Sequence, residues 1–167
     1  MEWMFLPLKR YAEFTGRSRR MEYWMFVLFE VLIGIAFVIL ILAVGGGGML
    51  MSGGDPSAVM AAGGAIMAIM ALNWLVSLAL LIPALAVTVR RLHDTNRSGW
   101  WILAPICAYV VVFVGAAVQS QGLTLIGGLA ALGTIILLLV FMFLEGTVGP
   151  NRFGEDPKGR GTAETFA

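Results

Sequence analysis

The chain has 167 residues, of which 59% are hydrophobic and only 13% are charged. An ordinary soluble domain carries roughly 25% charged residues. A fold of this length could not bury so much apolar surface in water, so the composition excludes an ordinary soluble protein and favours a membrane protein. The net charge of +1 gives no reason to expect a nucleic-acid partner, and a single cysteine, Cys107, excludes an internal disulfide framework and a cysteine metal site.

The N-terminal half predicts an interfacial segment and a first membrane span. Residues 1–23 are mixed and partly basic, and we expect the stretch from Phe5 to Phe14 to lie flat on the inner leaflet. The apolar run 24–44 would form a helix of roughly 31 Å, which matches a bilayer core. This run is too long and too late for a cleavable signal peptide, so we expect it to remain in the protein. Four consecutive glycines then predict a flexible loop over 45–59.

Three further spans are predicted in the rest of the chain, over 60–88, 100–118 and 123–144. They are joined by a polar loop at 89–99 and a tight turn at 119–122, and an irregular cytoplasmic tail covers 145–167. Gly63, Gly64, Gly127 and Gly128 predict close helix contacts. The expected fold is an all-α, single membrane domain over 1–167, an antiparallel bundle of four transmembrane helices.

The basic residues predict the orientation of this bundle. Of eleven Lys and Arg residues, five precede the first span, three lie in the loop at 89–99, and three follow the fourth span. The segments 45–59 and 119–122 hold none. By the positive-inside rule, both termini are expected in the cytoplasm.

Three polar segments fall on that predicted cytoplasmic side: Gly16–Trp24, Arg90–Trp101 and Gly149–Pro157. Together they resemble the YhaH-type family of small bacterial inner-membrane proteins, catalogued as domain of unknown function 805, in a GRxxRxEYW-like start, an RRLHDxxRSGWW-like loop and an NRYGxDP-like tail. The resemblance implies a four-span inner-membrane protein and brings no established activity. Asn96 stands where such proteins often have glycine. Asparagine tolerates the left-handed conformation, so we expect the turn at 95–96 to be kept. Phe153 stands where they often have tyrosine, so a role for that hydroxyl is in doubt.

We expect the three segments to fold into one polar cap tied by arginine–carboxylate bonds. Asp94 is expected to bind Arg90, Arg91 or an arginine of the first segment, and Glu22 and Glu145 are each expected to pair with an arginine of the loop at 89–99. Ser98 is placed to cap the third span. The cap is a candidate site for an anionic headgroup or a partner, although its arginines could instead satisfy lipid phosphates generally and fix the orientation. The candidate residues are Arg17, Arg20, Glu22, Trp24, Arg90, Arg91, His93, Asp94, Arg97, Ser98, Trp100 and Asn151.

These features favour a non-enzymatic inner-membrane protein that binds anionic lipid, with a second copy or another membrane protein as further possible partners. The alternatives are a small transporter or channel component, and an enzyme acting on lipid headgroups. Few polar residues lie within the spans, and Glu30 and Asn73 are poorly matched in depth, which argues against transport. His93 has no clearly placed nucleophile beside it, which argues against catalysis. No cofactor or metal is expected.

Overall fold

The computed structural model describes residues 2–51, 53 and 55–160, and its regular structure there is helical, with one isolated β-bridge between Asn151 and Gly154. The helices are α1 (Glu2–Lys9), α2 (Arg20–Met51), α3 (Pro56–Asp94), a 3-10 turn (Gly99–Ile102), α4 (Leu103–Ala117) and α5 (Gln121–Phe143). Four segments are long and apolar enough to cross a membrane: Arg20–Gly47, Pro56–Asp94, Gly99–Ala117 and Gln121–Phe143. The predicted all-α class with four membrane-capable helices is confirmed. The end of the predicted tail, 161–167, lies outside the described residues.

The glycine-rich segment is helical where we predicted a loop. Helix α2 continues through Gly45 to Met51, so the chain leaves the helix only between Met51 and Pro56. A glycine costs about 1 kcal/mol in a helix. Unpaired backbone groups in an apolar medium cost several kcal/mol each, so continuing the helix is cheaper than ending it early. The next helix begins at Pro56, where Asp55 Oδ1 accepts hydrogen bonds from the backbone N–H and hydroxyl of Ser57, each 2.9 Å long.

Helix α3 is also longer than its predicted span, because residues 90–94 form its last turn rather than a loop. The charged side chains of this turn find protein partners, as described below, so they do not end the helix. The turn closes with Arg97 N–H donating to Leu92 O at 2.9 Å, and Asn96 adopts the left-handed conformation that we predicted, with φ of 58°.

The chain divides into two compact units. The first comprises Met1–Tyr11 and Trp24–Ala84, that is α1 with most of α2 and α3. Within it the Tyr11 hydroxyl donates to Ala79 O at 2.5 Å, and the rings of Phe5 and Phe29 meet edge to face at 5.5 Å. The second comprises Ala12–Tyr23 and Leu85–Ala167. It therefore holds the end of α3, the 3-10 turn, α4 and α5. It also holds the three polar segments, the first of them as far as Tyr23.

Within the second unit, α4 and α5 form a hairpin of helices that run in opposite directions. A Cβ on Gly127 would lie 2.7 Å from Val112 N, and one on Gly115 would lie 2.6 Å from Thr124 N, so both glycines allow backbone-to-backbone contact. The prediction for Gly127 is confirmed. It was wrong for Gly63, Gly64 and Gly128, where a Cβ would meet nothing within 4 Å. Small residues permit close approach but do not select which face is used.

Candidate functional site

We use "polar cap" for residues 16–22, 90–101 and 144–157, which all belong to the second unit. Arg17 is buried and joins the three segments. Its Nε donates to Asp94 Oδ1 at 3.0 Å, its Nη1 to Gly149 O at 2.7 Å, and its Nη2 to Thr147 O at 2.5 Å. The predicted meeting of the three polar segments is therefore confirmed.

Asp94 lies between two guanidinium groups. Besides Arg17, it accepts a hydrogen bond from Arg91 Nη1 on its other oxygen, and its side chain is 6% exposed. Arg91 is fully buried and also donates to Met142 O and Leu144 O at the end of α5. The carboxylate therefore balances two buried cations, one on its own helix and one on the N-terminal segment.

Gly146 leaves room for this carboxylate. A methyl group on Gly146 would overlap the Asp94 oxygens. The next residue in the chain, Thr147, donates its N–H to Asp94 O at 2.9 Å. The backbone after α5 thus lies directly against the ion cluster, which the sequence pattern did not predict.

A second buried ion pair joins Arg90 to Glu22, with Arg90 Nη2 donating to Glu22 Oε1 at 2.8 Å. Arg90 also donates to Glu13 O at 2.5 Å, and Ser18 N–H donates to Arg90 O at 3.1 Å. The predicted pairings of Glu22 and Asp94 are confirmed.

The prediction that Glu145 pairs with an arginine of the 89–99 loop was wrong. Its carboxylate is 57% exposed and lies 2.9 Å from Lys158 Nζ, 3.0 Å from Arg160 Nη1 and 3.7 Å from Arg20 Nη2. The hydrogen bond from Lys158, with the positive charges of Lys158, Arg160 and Arg20, holds the pKa of Glu145 below its usual value. Arg90 and Arg91 are buried with Glu22 and Asp94 as partners, so they are not available at the surface where Glu145 lies.

His93 and Phe153 stack face to face, with ring centroids 3.8 Å apart and an interplanar angle of 4°. His93 Nδ1 lies 3.1 Å from Gly16 O, an acceptor only, so this nitrogen carries the proton. Asn151 Nδ2 donates to His93 O at 2.9 Å. Phe153 therefore contributes its ring, for which a tyrosine hydroxyl is not needed, and this stacking role was not predicted.

Two arginines of the cap differ from the others. Arg97 Nη1 donates to Thr95 O at 3.1 Å, and Arg152 Nη2 donates to Asn96 O at 3.2 Å, so both bind carbonyls of the same turn. Their guanidinium carbons lie 4.0 Å and 4.7 Å from the ring centroids of Phe141 and Phe153. Within the described part of the chain, neither forms an ion pair with a carboxylate.

All of the cap except residues 156 and 157 falls within the region that identifies the family. A sequence model of the family described as "Protein of unknown function (DUF805)" matches residues 11–155. The chain belongs to the DUF805 family. It is 35% identical to the inner membrane protein YhaI of Escherichia coli K12 over 158 residues, 95% of this chain and 97% of YhaI. It is 32% identical to the inner membrane protein YhaH of the same strain over 158 residues, 95% of this chain and 98% of YhaH.

A shorter match, 36% identical over 84 residues, is to the uncharacterized protein YiiR of Escherichia coli K12, and covers 46% of this chain and 54% of YiiR. No solved structure matches the chain. This DUF805 protein is therefore a transmembrane protein similar to inner membrane proteins whose names state no activity.

The structure separates the predicted site residues of this DUF805 chain into three groups. The buried ionic core contains Arg17, Glu22, Arg90, Arg91 and Asp94, while His93 and Asn151 tie the tail segment to it. Ser98, Trp100, Arg97 and Arg20 lie nearer the surface: Ser98 Oγ accepts from Trp100 N–H at 3.4 Å, as predicted for a cap, and Arg20 donates to Phe143 O at 3.2 Å. Trp24 belongs to the other compact unit.

This grouping changes the expected headgroup contacts. Arg90 and Arg91 were candidates for binding a headgroup, but both are completely buried and hydrogen-bonded to protein groups. They have no surface to offer a ligand. In the described part of the chain, no three His, Cys, Asp or Glu side chains are grouped so that they could hold a metal ion.

Proposed function

We propose that this DUF805 protein is a non-enzymatic inner-membrane protein whose polar cap binds the phosphate of an anionic membrane lipid. Its four spans are antiparallel, and the cap and both termini face the cytoplasm. The proposal rests on the pair Arg97 and Arg152. Both side chains bind carbonyls of the same turn, and neither has a carboxylate partner among the described residues.

The distribution of basic residues supports the orientation. All eleven Lys and Arg residues lie in 9–20, 90–97 and 152–160, and none lies between Met51 and Pro56 or in the α4–α5 turn. The positive-inside rule places such segments in the cytoplasm. A fluorescent protein that folds only in the cytoplasm, fused after Ala167, should be bright, whereas alkaline phosphatase fused there should be inactive. The reverse result would overturn the orientation.

Charge complementarity supports an anionic ligand. Arg17, Arg90 and Arg91 already have carboxylate partners, so an added anion would gain little from them. Among the described residues no carboxylate compensates the charges of Arg97 and Arg152, and a guanidinium group matches the geometry of a phosphate.

The contacts of His93 and Asp94 favour a structural role for this pair over a catalytic one. Asp94 accepts from two guanidinium groups, and the His93 ring is stacked on Phe153 with Nδ1 facing Gly16 O. A general base needs a free acceptor directed toward the proton it removes, and both Asp94 oxygens are already occupied by guanidinium donors. This supports the non-enzymatic reading of the cap.

Native mass spectrometry of the purified protein tests the proposal. Binding of phosphatidylglycerol should exceed that of phosphatidylethanolamine. Arg97→Gln/Arg152→Gln should weaken phosphatidylglycerol binding by about 30-fold, because roughly 2 kcal/mol of charge-assisted hydrogen bonding to the phosphate is lost. The matched control is Lys9→Gln/Lys158→Gln, which removes the same charge from exposed positions outside the turn. If both double variants bind phosphatidylglycerol equally, the proposal is wrong.

A further inference from the structure

Two apolar grooves lie on either side of Trp100, whose side chain is strongly exposed. The larger has a volume of about 560 Å³ and the smaller about 320 Å³. Both are lined by Ser98, Trp100 and Leu103, so they share one rim. All of the lining residues belong to the second compact unit.

The two grooves extend in the same direction from this rim. The larger continues along α4 to Ile106 and the smaller to Cys107. From Ser98 to either residue is roughly 12–14 Å at 1.5 Å per helical residue. Each groove is therefore long enough for the first part of an extended hydrocarbon chain, and the two would run side by side.

The two arginines for which the described residues supply no ion pair are neighbours of residues that line the grooves, although neither lines a groove itself. Arg97 precedes the shared residue Ser98, and the Arg152 guanidinium lies over Phe153, which lines the larger groove together with His93. A ligand that fits this arrangement has one negative group at the turn and two apolar chains directed along α4. A diacyl phospholipid has this form, and it is the abundant amphiphile around a transmembrane protein.

We propose that the grooves hold the two acyl chains of a single anionic phospholipid, with the Trp100 side chain between the chains. This rests on the proposed function, which places the phosphate at Arg97 and Arg152. Tryptophan is suited to this position because its ring is apolar while its N–H can remain at the interface. The chain pair, rather than the headgroup alone, then determines which lipid binds.

The decisive variant fills only the smaller groove. Ala104 lines that groove and not the larger one, so Ala104→Leu should displace one chain and leave space for the other. In native mass spectrometry, binding of diacyl phosphatidylglycerol should fall by about tenfold, because roughly two methylene groups of that chain lose their contact with the protein. Binding of lyso-phosphatidylglycerol, with one chain, should be unchanged. The matched control is Ala130→Leu, the same substitution at an exposed position of α5 that lines neither groove.

Cys107 allows a second measurement on the unmodified chain, because it is exposed, is the single cysteine and lines the smaller groove. Diacyl phosphatidylglycerol should slow alkylation of Cys107 by N-ethylmaleimide in detergent, and the lyso lipid should not. Equal alkylation rates with both lipids would overturn the inference, as would an Ala104→Leu variant that binds both lipids as wild type or loses both equally.

The two proposals fail differently. If Arg97→Gln/Arg152→Gln binds phosphatidylglycerol as wild type does while Ala104→Leu still separates diacyl from lyso lipid, the phosphate site is wrong and the grooves stand. If the arginine variant loses binding but Ala104→Leu behaves as Ala130→Leu does, the headgroup site stands and the grooves do not hold the chains.

Discussion

Replacing Asp94 by asparagine tests the buried ionic core most directly. The carboxylate lies between Arg17 and Arg91, whose side chains are 1% and 0% exposed. Asparagine has nearly the same shape but no charge, so two buried guanidinium groups would lose their counter-ion while keeping their bonds to backbone carbonyls. Removing one partner of a buried ion pair costs about 3–5 kcal/mol, because the remaining charge is left uncompensated. We expect a loss of unfolding free energy in that range.

The measurement is reversible unfolding in mixed micelles, with the denaturing detergent SDS titrated against a mild one and helicity followed by circular dichroism. The control is Glu145→Gln, which removes a carboxylate of the same cap from an exposed ion-pair cluster, where such pairs contribute little to stability. If Asp94→Asn and Glu145→Gln shift the midpoint equally, the buried cluster does not stabilise the fold as argued.

Three further predictions concern glycine packing and the tail. Gly146→Ala should lower the unfolding free energy by about 1–3 kcal/mol in the same titration, because its methyl group would overlap the Asp94 carboxylate. Gly127→Ala should cost about 1–3 kcal/mol through contact with Val112 N, whereas Gly128→Ala, with nothing within 4 Å, should be neutral or slightly stabilising; equal effects would contradict the packing of α4 on α5. Burial opposes ionisation of Asp156, but hydrogen bonds from Lys158 N–H and Arg160 outweigh it and hold its pKa below the usual value. The ionised Asp156 carboxylate therefore stabilises the folded state at pH values above the unfolded pKa of about 3.9. This stabilisation is lost as the pH falls through the lower pKa of the folded state. The protection factor of the Lys158 N–H, which is the intrinsic exchange rate at a given pH divided by the observed rate, should therefore fall below about pH 4 in wild type. In Asp156→Asn it should already be low at pH 7.

The sequence predicted the spans and the meeting of the polar segments because both follow from simple quantities. A span is recognised by the length of an apolar run, and four such runs are interrupted by charge or by turn residues. Buried arginines need carboxylates, so the few acidic residues near the cap restricted the possible pairs. Asp94 could pair with Arg90, Arg91 or an arginine of the first segment, and it pairs with Arg91 and Arg17.

Two of the misses share one physical origin, because a local sequence pattern does not report whether water, lipid or protein surrounds the backbone. Gly45–Gly48 suggested a loop because the low helix propensity of glycine is measured in water, where the backbone of an unfolded segment is hydrated. We predicted a loop for residues 90–94 because their charged side chains follow directly after the apolar run. The helix continues through them, since Arg90, Arg91 and Asp94 each bind a buried partner. Glu145 was assigned to the wrong arginines because its own tail supplies Lys158 and Arg160.

The arginines of the cap divide by their counter-ions, and this division separates structure from recognition. A buried guanidinium must be compensated when the chain folds, so Arg17, Arg90 and Arg91 are bound to Asp94 and Glu22 before any ligand arrives. A ligand anion can add free energy only where a charge is left uncompensated and reachable, and among the described residues Arg97 and Arg152 meet both conditions. Substitutions in the first set should therefore change the stability of the unliganded protein, and substitutions in the second should change only its response to anionic lipid.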